Sequence, residues 1–356
     1  MAHPGNQPLE IQSTVVNAVY YPNWHVYKGK GPASMPLGQI SHILYSFMGV
    51  NTDGSLKHLD EHADRSAPVD GVEGGLAALN QVKCRRTHIR TLISVGGGSN
   101  STEFAALAAS PQARGRFAHE IRNFVDQNNF NGVDIDWEFP QDEKQGNDYA
   151  LLLEEVRRAL PAPYFLLTTA LPPGEWVLRN IDAARVARTL DYMNLMCYDL
   201  TGSWSEVSGN HAQLRASSNA PPSLRTGCAD GVDYLIGRGF PSQKIVMGIP
   251  VYARTFPEAR GPGGPTNGSG EIDYSELPQE YVDHARIDDS AAAASFVDDK
   301  NGFTTFDAPR SVGQKGHFAK HKGLGGLFYW TGSADREGKD SLVITGFNAL
   351  HGFMGW

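Results

Sequence analysis

The chain has 356 residues, of which 40% are hydrophobic and 20% charged, with a formal net charge of -8. This composition is typical of a globular protein with enough material for a sizeable core. It has no basic stripe for nucleic acid or an anionic membrane surface, and no apolar run approaches the ~20 residues of a membrane span. We therefore expect a protein that binds neither nucleic acid nor a membrane.

The first twelve residues, 1–12, contain neither the basic segment nor the apolar segment of a signal peptide. They predict a leader segment without signal-peptide character, followed by one catalytic domain over 13–356. The expected location is the cytoplasm or release by a leaderless route, with secretion as the alternative if a leader was removed. Cys84, Cys197 and Cys228 cannot all pair within one chain and lack metal-ligand spacing, so we expect free thiols.

Eight runs rich in apolar, β-branched or aromatic residues predict strands, and most are separated by helical stretches. The predicted strands are 15–21, 42–47, 91–95, 132–137, 165–170, 192–196, 244–248 and 325–330. The clearest predicted helices are 74–83, 111–127, 147–160, 183–190, 229–238, 310–320 and 341–351. This alternation predicts the α/β class and a (β/α)8 TIM barrel, since no glycine-rich dinucleotide fingerprint favours a doubly wound sheet.

The segment 255–305, after the seventh predicted strand, differs from the rest of the chain. It opens with a turn-rich stretch at 260–265 and continues with short alternating pieces. A structureless loop of this length is improbable inside a compact domain. We therefore expect a small α+β insertion over 255–305 that leans over the C-terminal face of the barrel.

Acidic and apolar residues alternate through the fourth predicted strand. Because successive strand side chains point to opposite faces, Asp134, Asp136 and Glu138 share one face. Alternatively, the run could be an edge strand with a solvated acidic face, but strands of such a barrel are covered on both faces. Buried like charges cannot all ionise cheaply, so at least one carboxyl should keep its proton, which points to catalysis.

In barrels of this type the chemistry lies where the strands end at the C-terminal face. Other residues at or just beyond strand ends are aromatic or polar, and together they predict an acidic cleft lined by aromatic rings. They are Phe47, Ser94, Tyr198, Asp199, Tyr252, Arg254 and Trp330.

Five patterns, in order along the chain, are those of a known family. D-x-x-D-x-D-x-E stands at 131–138 with Asn131 in its first, most tolerant position, S-x-G-G at 94–97, and M-x-Y-D at 196–199. The other two are Tyr252-Ala253-Arg254 and the Gly325-Gly326 pair that leads to Trp330. From about Val15 to its C-terminus the chain resembles the family 18 glycoside hydrolases, the chitinases.

The resemblance implies a monomeric endo-acting chitinase that binds chitin and chitooligosaccharides and needs no cofactor or metal. It implies that Glu138 protonates the glycosidic oxygen and that the substrate's own acetamido oxygen attacks, with retention, through an oxazolinium. Asp136 would steady the acetamido group, Asp134 would share in holding the proton, and Tyr198 would donate to the acetamido oxygen. The remaining residues of the implied sugar-binding site are Tyr20, Phe47, Met196, Asp199, Tyr252, Arg254 and Trp330, together with Ser94, which would hydrogen-bond the acidic row near Asp134.

One departure and three alternatives remain. The family often has Trp after S-x-G-G, where this chain has Gly98, so the subsite on the leaving-group side should be weaker or use Trp176 or Trp204.

The same chemistry would also suit an endo-β-N-acetylglucosaminidase acting on glycoprotein glycans. Relatives that lost the acid are chitin-binding lectins, although Glu138 is present here. A metal site is the third alternative, but carboxylates in one row converge poorly on one ion.

Overall fold

The computed structural model describes residues 15–216, 220 and 224–353, so the predicted leader at 1–12 lies outside the described residues. Within these ranges the chain forms sixteen strands. In chain order they are β1 (Val16–Pro22), β2 (His42–Val50), β3 (Leu56–His58), β4 (Pro68–Val69), β5 (Val72–Glu73), β6 (Arg90–Gly96), β7 (Gly132–Asp136), β8 (Leu166–Leu171), β9 (Tyr192–Leu195), β10 (Ile245–Pro250), β11 (Tyr252–Phe256), β12 (Gly270–Asp273), β13 (Arg286–Asp288), β14 (Ala293–Asp298), β15 (Gly302–Phe306) and β16 (Gly326–Trp330).

Helices fill most of the connections between these strands. Those within the described ranges are α1 (Glu61–Arg65), α2 (Gly75–Arg85), α3 (Phe104–Ala109), α4 (Pro111–Gln127), α5 (Glu143–Ala159), α6 (Glu175–Leu178), α7 (Ala183–Thr189), α8 (Cys228–Gly237), α9 (Gln279–Asp283), α10 (Pro309–His321) and α11 (Leu342–His351). Side-chain caps start several of them, since Ser110 accepts from the N–H of Ala113 and Asp142 accepts from the N–H of Gln145. None of the described helices is long and apolar enough to cross a membrane.

Eight parallel strands close into a barrel. Their order is β1, β2, β6, β7, β8, β9, β10 and β16, and β1 pairs with both β2 and β16, which closes the ring. Each of the eight predicted runs coincides with one of these strands. The (β/α)8 TIM barrel predicted from the alternation is therefore confirmed.

Strand alternation divides the core into two layers, inside and outside the barrel wall. On β7, Val133 and Ile135 point outward and join the large apolar cluster between the wall and the helices. Inside the barrel a smaller cluster includes Tyr20, Leu92 and Phe328. The acidic face of β7 points into this interior, because Tyr20 hydrogen-bonds Asp134.

A second, five-stranded sheet follows β10. Its strand order is β12, β11, β15, β14, β13, and all its pairings are antiparallel. Its strands run from Tyr252 to Phe306, slightly beyond the predicted bounds of 255–305. Tyr252 and Arg254 lie on β11, the strand that directly follows the seventh barrel strand.

Candidate active site

Asp134 lies in the middle of β7, fully buried, and four side chains donate hydrogen bonds to its carboxylate. Thr168 Oγ1 lies 2.6 Å from Oδ1, Ser94 Oγ and the Tyr20 hydroxyl each lie 2.8 Å from Oδ2, and Asn194 Nδ2 lies 3.4 Å from Oδ1. Burial raises the pKa of Asp134, while these hydrogen bonds favour the charged form and oppose the rise in pKa. Asp134 therefore serves as a fixed acceptor at the base of the acidic row.

Asp136 ends β7 and is 3% exposed. Its Oδ1 atom is buried and has no hydrogen-bond partner among the described residues. Burial raises the pKa of Asp136 well above its ordinary value, and the charges of Glu138 and Asp134 raise it further. We expect this carboxyl, rather than Asp134, to hold a proton in the free protein.

Glu138 stands two residues beyond the end of β7 and is half-buried. Burial raises its pKa to about 7, and the negative charge of Asp199 contributes to the rise in pKa. Gly98 lies beside this carboxyl and has no side chain to cover it. A β-carbon added at Gly98 would stand 3.4 Å from Glu138 Oε2. With this pKa about half of the Glu138 carboxyls keep their proton at pH 7, and the carboxyl is open on one side.

Asp199 lies across the cleft and is held by groups on the second sheet. The Tyr252 hydroxyl donates to Asp199 Oδ1 at 2.6 Å and Arg254 Nε donates to the same oxygen at 2.7 Å. His211 Nδ1 lies 3.6 Å from that oxygen, and Arg254 also pairs with Glu271 at 3.0 Å. Burial opposes ionisation of Asp199, but the nearby His211 ring and Arg254 guanidinium bring its pKa well below the ordinary range.

Aromatic rings form the floor and wall of the cleft. The Trp330 and Phe47 rings are stacked with their centroids 5.5 Å apart, and Tyr20 lies 5.4 Å from Trp330. The exposed Trp24 ring continues this surface, 6.3 Å from both Phe47 and Trp330. On the other side, Tyr198 packs edge-on against Tyr252.

The cavity formed by these groups has a volume of about 570 Å³ and brings most of the predicted residues together. Those that line it are Asp136, Glu138, Tyr198, Tyr20, Phe47, Met196, Asp199, Tyr252 and Trp330. Asp134, Ser94 and Arg254 do not line it. They lie behind the cavity wall, where Ser94 holds Asp134 and Arg254 holds Asp199.

The described part of the chain contains no group of three or more His, Cys, Asp or Glu side chains arranged to hold a metal ion. The four donors around Asp134 occupy the carboxylate oxygens that a cation in this row would use.

The family model for glycosyl hydrolases family 18 matches residues 16–335, which is most of the chain and includes every residue of the cleft described above. The chain belongs to family 18.

Relatives of known name support this assignment. The family 18 chain is 35% identical to Chitinase 1 of Aphanocladium album, over 95% of its own length and 86% of the relative's. It is 34% identical to Endochitinase 1 of Metarhizium robertsii, over 95% of its own length and 85% of that protein's. The crystal structure of the Ostrinia furnacalis Group IV chitinase in complex with allosamidin matches with a TM-score of 0.83 at 27% identity, covering 94% of this chain and 98% of the other.

In this family 18 chain the cleft extends beyond Tyr198 and Asp199 into a second cavity of about 750 Å³. Trp176 and Trp204 line both cavities and expose 58% and 61% of their surface. The two indoles thus stand on the loops after β8 and β9, where the two cavities meet.

Several residues at this site were missed by sequence reasoning. Thr168 and Asn194 bind Asp134, and both sit at inward positions of neighbouring barrel strands, so strict strand periodicity could have found them. His211 and Glu271 come from a loop and from the second sheet. No local sequence signal relates either of them to Asp199 or Arg254.

Proposed function

We propose that this family 18 glycoside hydrolase is an endo-acting chitinase that hydrolyses β-1,4-linked N-acetylglucosamine polymers and chitooligosaccharides with retention. The observation that carries the proposal is the half-buried Glu138 carboxyl with its pKa raised to about 7, at the edge of a cleft lined by aromatic rings. The chitinase names of the relatives support the same substrate class.

Glu138 acts as the general acid. Its carboxyl must be protonated before it can transfer a proton to the glycosidic oxygen, and the raised pKa keeps that proton available near neutral pH. As the bond to the leaving sugar breaks, the proton passes from Glu138 to the departing oxygen. The resulting carboxylate then accepts a proton from the water that completes hydrolysis.

The attacking group is the acetamido oxygen of the substrate, because no second carboxylate is needed as a nucleophile in this family. Asp136, with a buried oxygen that lacks a partner, is placed to accept the acetamido N–H. The proton that it holds in the free protein is shared with Asp134, and its passage to Asp134 leaves Asp136 as the carboxylate that steadies the positive oxazolinium. The Tyr198 hydroxyl, which has no hydrogen bond among the described residues, donates to the acetamido oxygen. Two fixed groups thus orient the attacking amide.

Sugar binding uses the aromatic floor. The apolar face of a pyranose stacks on the Trp330 indole, with Tyr20 and Phe47 supporting that ring. Met196 and Tyr252 complete the wall, and Asp199 faces the same subsite. Asp134 and Arg254 act from behind by holding Tyr20 and Asp199, which face the sugar, and Ser94 holds Asp134.

Replacing the acid tests the proposed function directly. Glu138→Gln should lower kcat on chitotetraose by about 10²- to 10⁴-fold, because an amide cannot transfer the proton. Proton NMR of the wild-type reaction should show that the first product formed keeps the β configuration. Glu143→Gln, an exposed carboxylate in the first turn of α5, is the matched control and should leave turnover unchanged. Full turnover by Glu138→Gln would rule out the mechanism.

The open wall at Gly98 and the second cavity beyond Tyr198 favour one further candidate, an endo-β-N-acetylglucosaminidase that accepts a bulky leaving group. Chitotetraose and a high-mannose glycopeptide should be assayed side by side. We expect chitotetraose to be cleaved far faster, whereas faster release of the glycan would favour this candidate. Tight chitooligosaccharide binding without any cleavage would instead indicate a lectin.

A further inference from the structure

The loop that follows β6 wraps around the end of the catalytic strand. Regular pairing between β6 and β7 ends at Gly96 and Asp136, and one more backbone bond joins the Gly97 N–H to the Asp136 carbonyl at 2.9 Å. Beyond this point Glu138 has no neighbouring strand to hold its backbone. Its N–H instead donates to the hydroxyl of Ser101 at 2.9 Å.

The Ser101 hydroxyl joins three backbone groups in this loop. While it accepts from the Glu138 N–H, it donates toward the carbonyls of Gly97 at 3.0 Å and Asp136 at 3.2 Å. Ser101 is only 6% exposed, so water cannot readily replace these hydrogen bonds. One buried side chain therefore links the strand that carries the carboxylates to the loop that faces them.

Within the described ranges no side chain or backbone group hydrogen-bonds the carboxyl oxygens of Glu138. The position of this carboxyl therefore depends on the hydrogen bond that holds the Glu138 backbone. The same loop brings Gly98 against the carboxyl, so the position of the loop and the position of the acid are set together. A shift of about 1 Å in a reacting group is enough to reduce a rate by roughly 10²-fold.

We propose that Ser101 is a positioning residue for glycosidic cleavage, whose hydroxyl fixes the backbone from which Glu138 reaches the leaving oxygen. The inference rests on the proposed function, in which Glu138 is the general acid. Ser101 does not touch the substrate. It acts only through the placement of Glu138, and its removal impairs proton transfer more than sugar binding.

The test compares two substrates that differ in their need for an acid. Chitotetraose requires a proton on its departing sugar, whereas 2,4-dinitrophenyl chitobioside releases a stable anion that needs none. Ser101→Ala should lower kcat on chitotetraose about tenfold or more, change KM little, and affect the dinitrophenyl substrate far less. Ser101→Thr, which keeps the hydroxyl, should restore most of the lost turnover.

Ser208→Ala is a matched control for the loss of a buried serine hydroxyl. Ser208 is 0% exposed, donates to the Gly261 carbonyl at 2.8 Å and accepts from the Gly264 N–H at 3.0 Å, away from the acidic row. Its replacement should lower the melting temperature and leave the ratio of the two kcat values at the wild-type level. A substrate-dependent loss in Ser101→Ala alone would support positioning of the acid.

A wild-type ratio of the two kcat values in folded Ser101→Ala would overturn the inference. If Ser101→Ala does not fold, Ser101→Cys carries the same test, because a thiol accepts an N–H only weakly. If Glu138→Gln is inactive but the ratio of the two kcat values is unchanged in the Ser101 variants, only the positioning role of Ser101 is contradicted. If Glu138→Gln is active, the proposed function itself is contradicted.

Discussion

Glu138 keeps its proton because of where it lies rather than through a hydrogen-bonding partner. Burial and the facing charge of Asp199 both favour the neutral acid and raise the pKa to about 7. Asp136, next in the row, has its pKa raised by burial and by the two flanking carboxylates. Both carboxyls therefore favour their protonated forms in the free enzyme. General-acid catalysis requires that Glu138 be protonated before the reaction.

The raised pKa of Glu138 predicts a pH-dependent stability. Because the folded chain holds this proton more tightly than the unfolded chain, whose carboxyl titrates near 4.5, the folded state loses stability as pH rises from about 4.5 to about 7. A glutamine has no such proton. Glu138→Gln should therefore gain on the order of 2 kcal/mol over wild type between pH 4.5 and pH 8. Urea unfolding of both proteins at the two pH values measures this, and an equal difference at both would contradict it.

For single residues, the sequence predicted the site best where the reactive side chains follow one another along a strand. The carboxylates at 134, 136 and 138 could be placed on one face because the strand period is two. Of the neutral donors around Asp134, Ser94 and Tyr20 were among the predicted site residues, whereas Thr168 and Asn194 were not, although strand periodicity places both on inward faces. His211 was missed because only folding brings its loop to within 3.6 Å of Asp199.

Among the elements, the helices were predicted best where apolar periodicity reaches their ends. Helix α4 has the predicted bounds, helped by Ser110 as cap and Pro111 in its first turn. Helix α5 begins at Glu143, four residues before the predicted start at Asn147. Its first turn is polar and carries no hydrophobic period, so only the Asp142 cap marks the true beginning.

The loops after β8 and β9 carry the exposed indoles of Trp176 and Trp204, which line the far side of the cleft. If they bind sugars on the leaving-group side, Trp176→Ala and Trp204→Ala should each raise KM for chitohexaose roughly fivefold, about 1 kcal/mol. Tyr164→Ala is the control, since this exposed ring precedes β8 at the opposite end of the barrel. Equal KM values for all variants would exclude a binding role for the two indoles.

Across the whole molecule, the barrel was predictable because eight strands and their helices alternate along the chain. The segment between β2 and α2, which contains β3, α1, β4 and β5, was not predicted from the sequence. Its strands have only two or three residues and α1 only five, too short for a hydrophobic period. A buried carboxylate organises it instead: Asp64 accepts from Asn23, Tyr45 and His58 at 2.8, 2.7 and 2.6 Å.

The second sheet is tied to the barrel by a buried ion pair. Lys315 on α10 lies 2.5 Å from Asp307, which directly follows β15, and the two side chains are 1% and 0% exposed. Lys315→Met leaves this carboxylate buried without its partner and should lower the free energy of unfolding by about 3 kcal/mol. The half-exposed Lys322–Asp233 pair is the control, and Lys322→Met should cost less than about 1 kcal/mol by urea unfolding. Equal losses would contradict the role of the buried pair.

The most direct measurement for the whole account compares chitotetraose with cellotetraose, which has hydroxyls in place of the acetamido groups. If the substrate's own amide attacks while Glu138 supplies the proton, the enzyme should cleave chitotetraose at least 10³-fold faster, since cellotetraose lacks the attacking oxygen. Binding of both sugars should be measured in Glu138→Gln, so that a difference in affinity is not mistaken for one in chemistry. Comparable cleavage of the two tetramers would contradict the account.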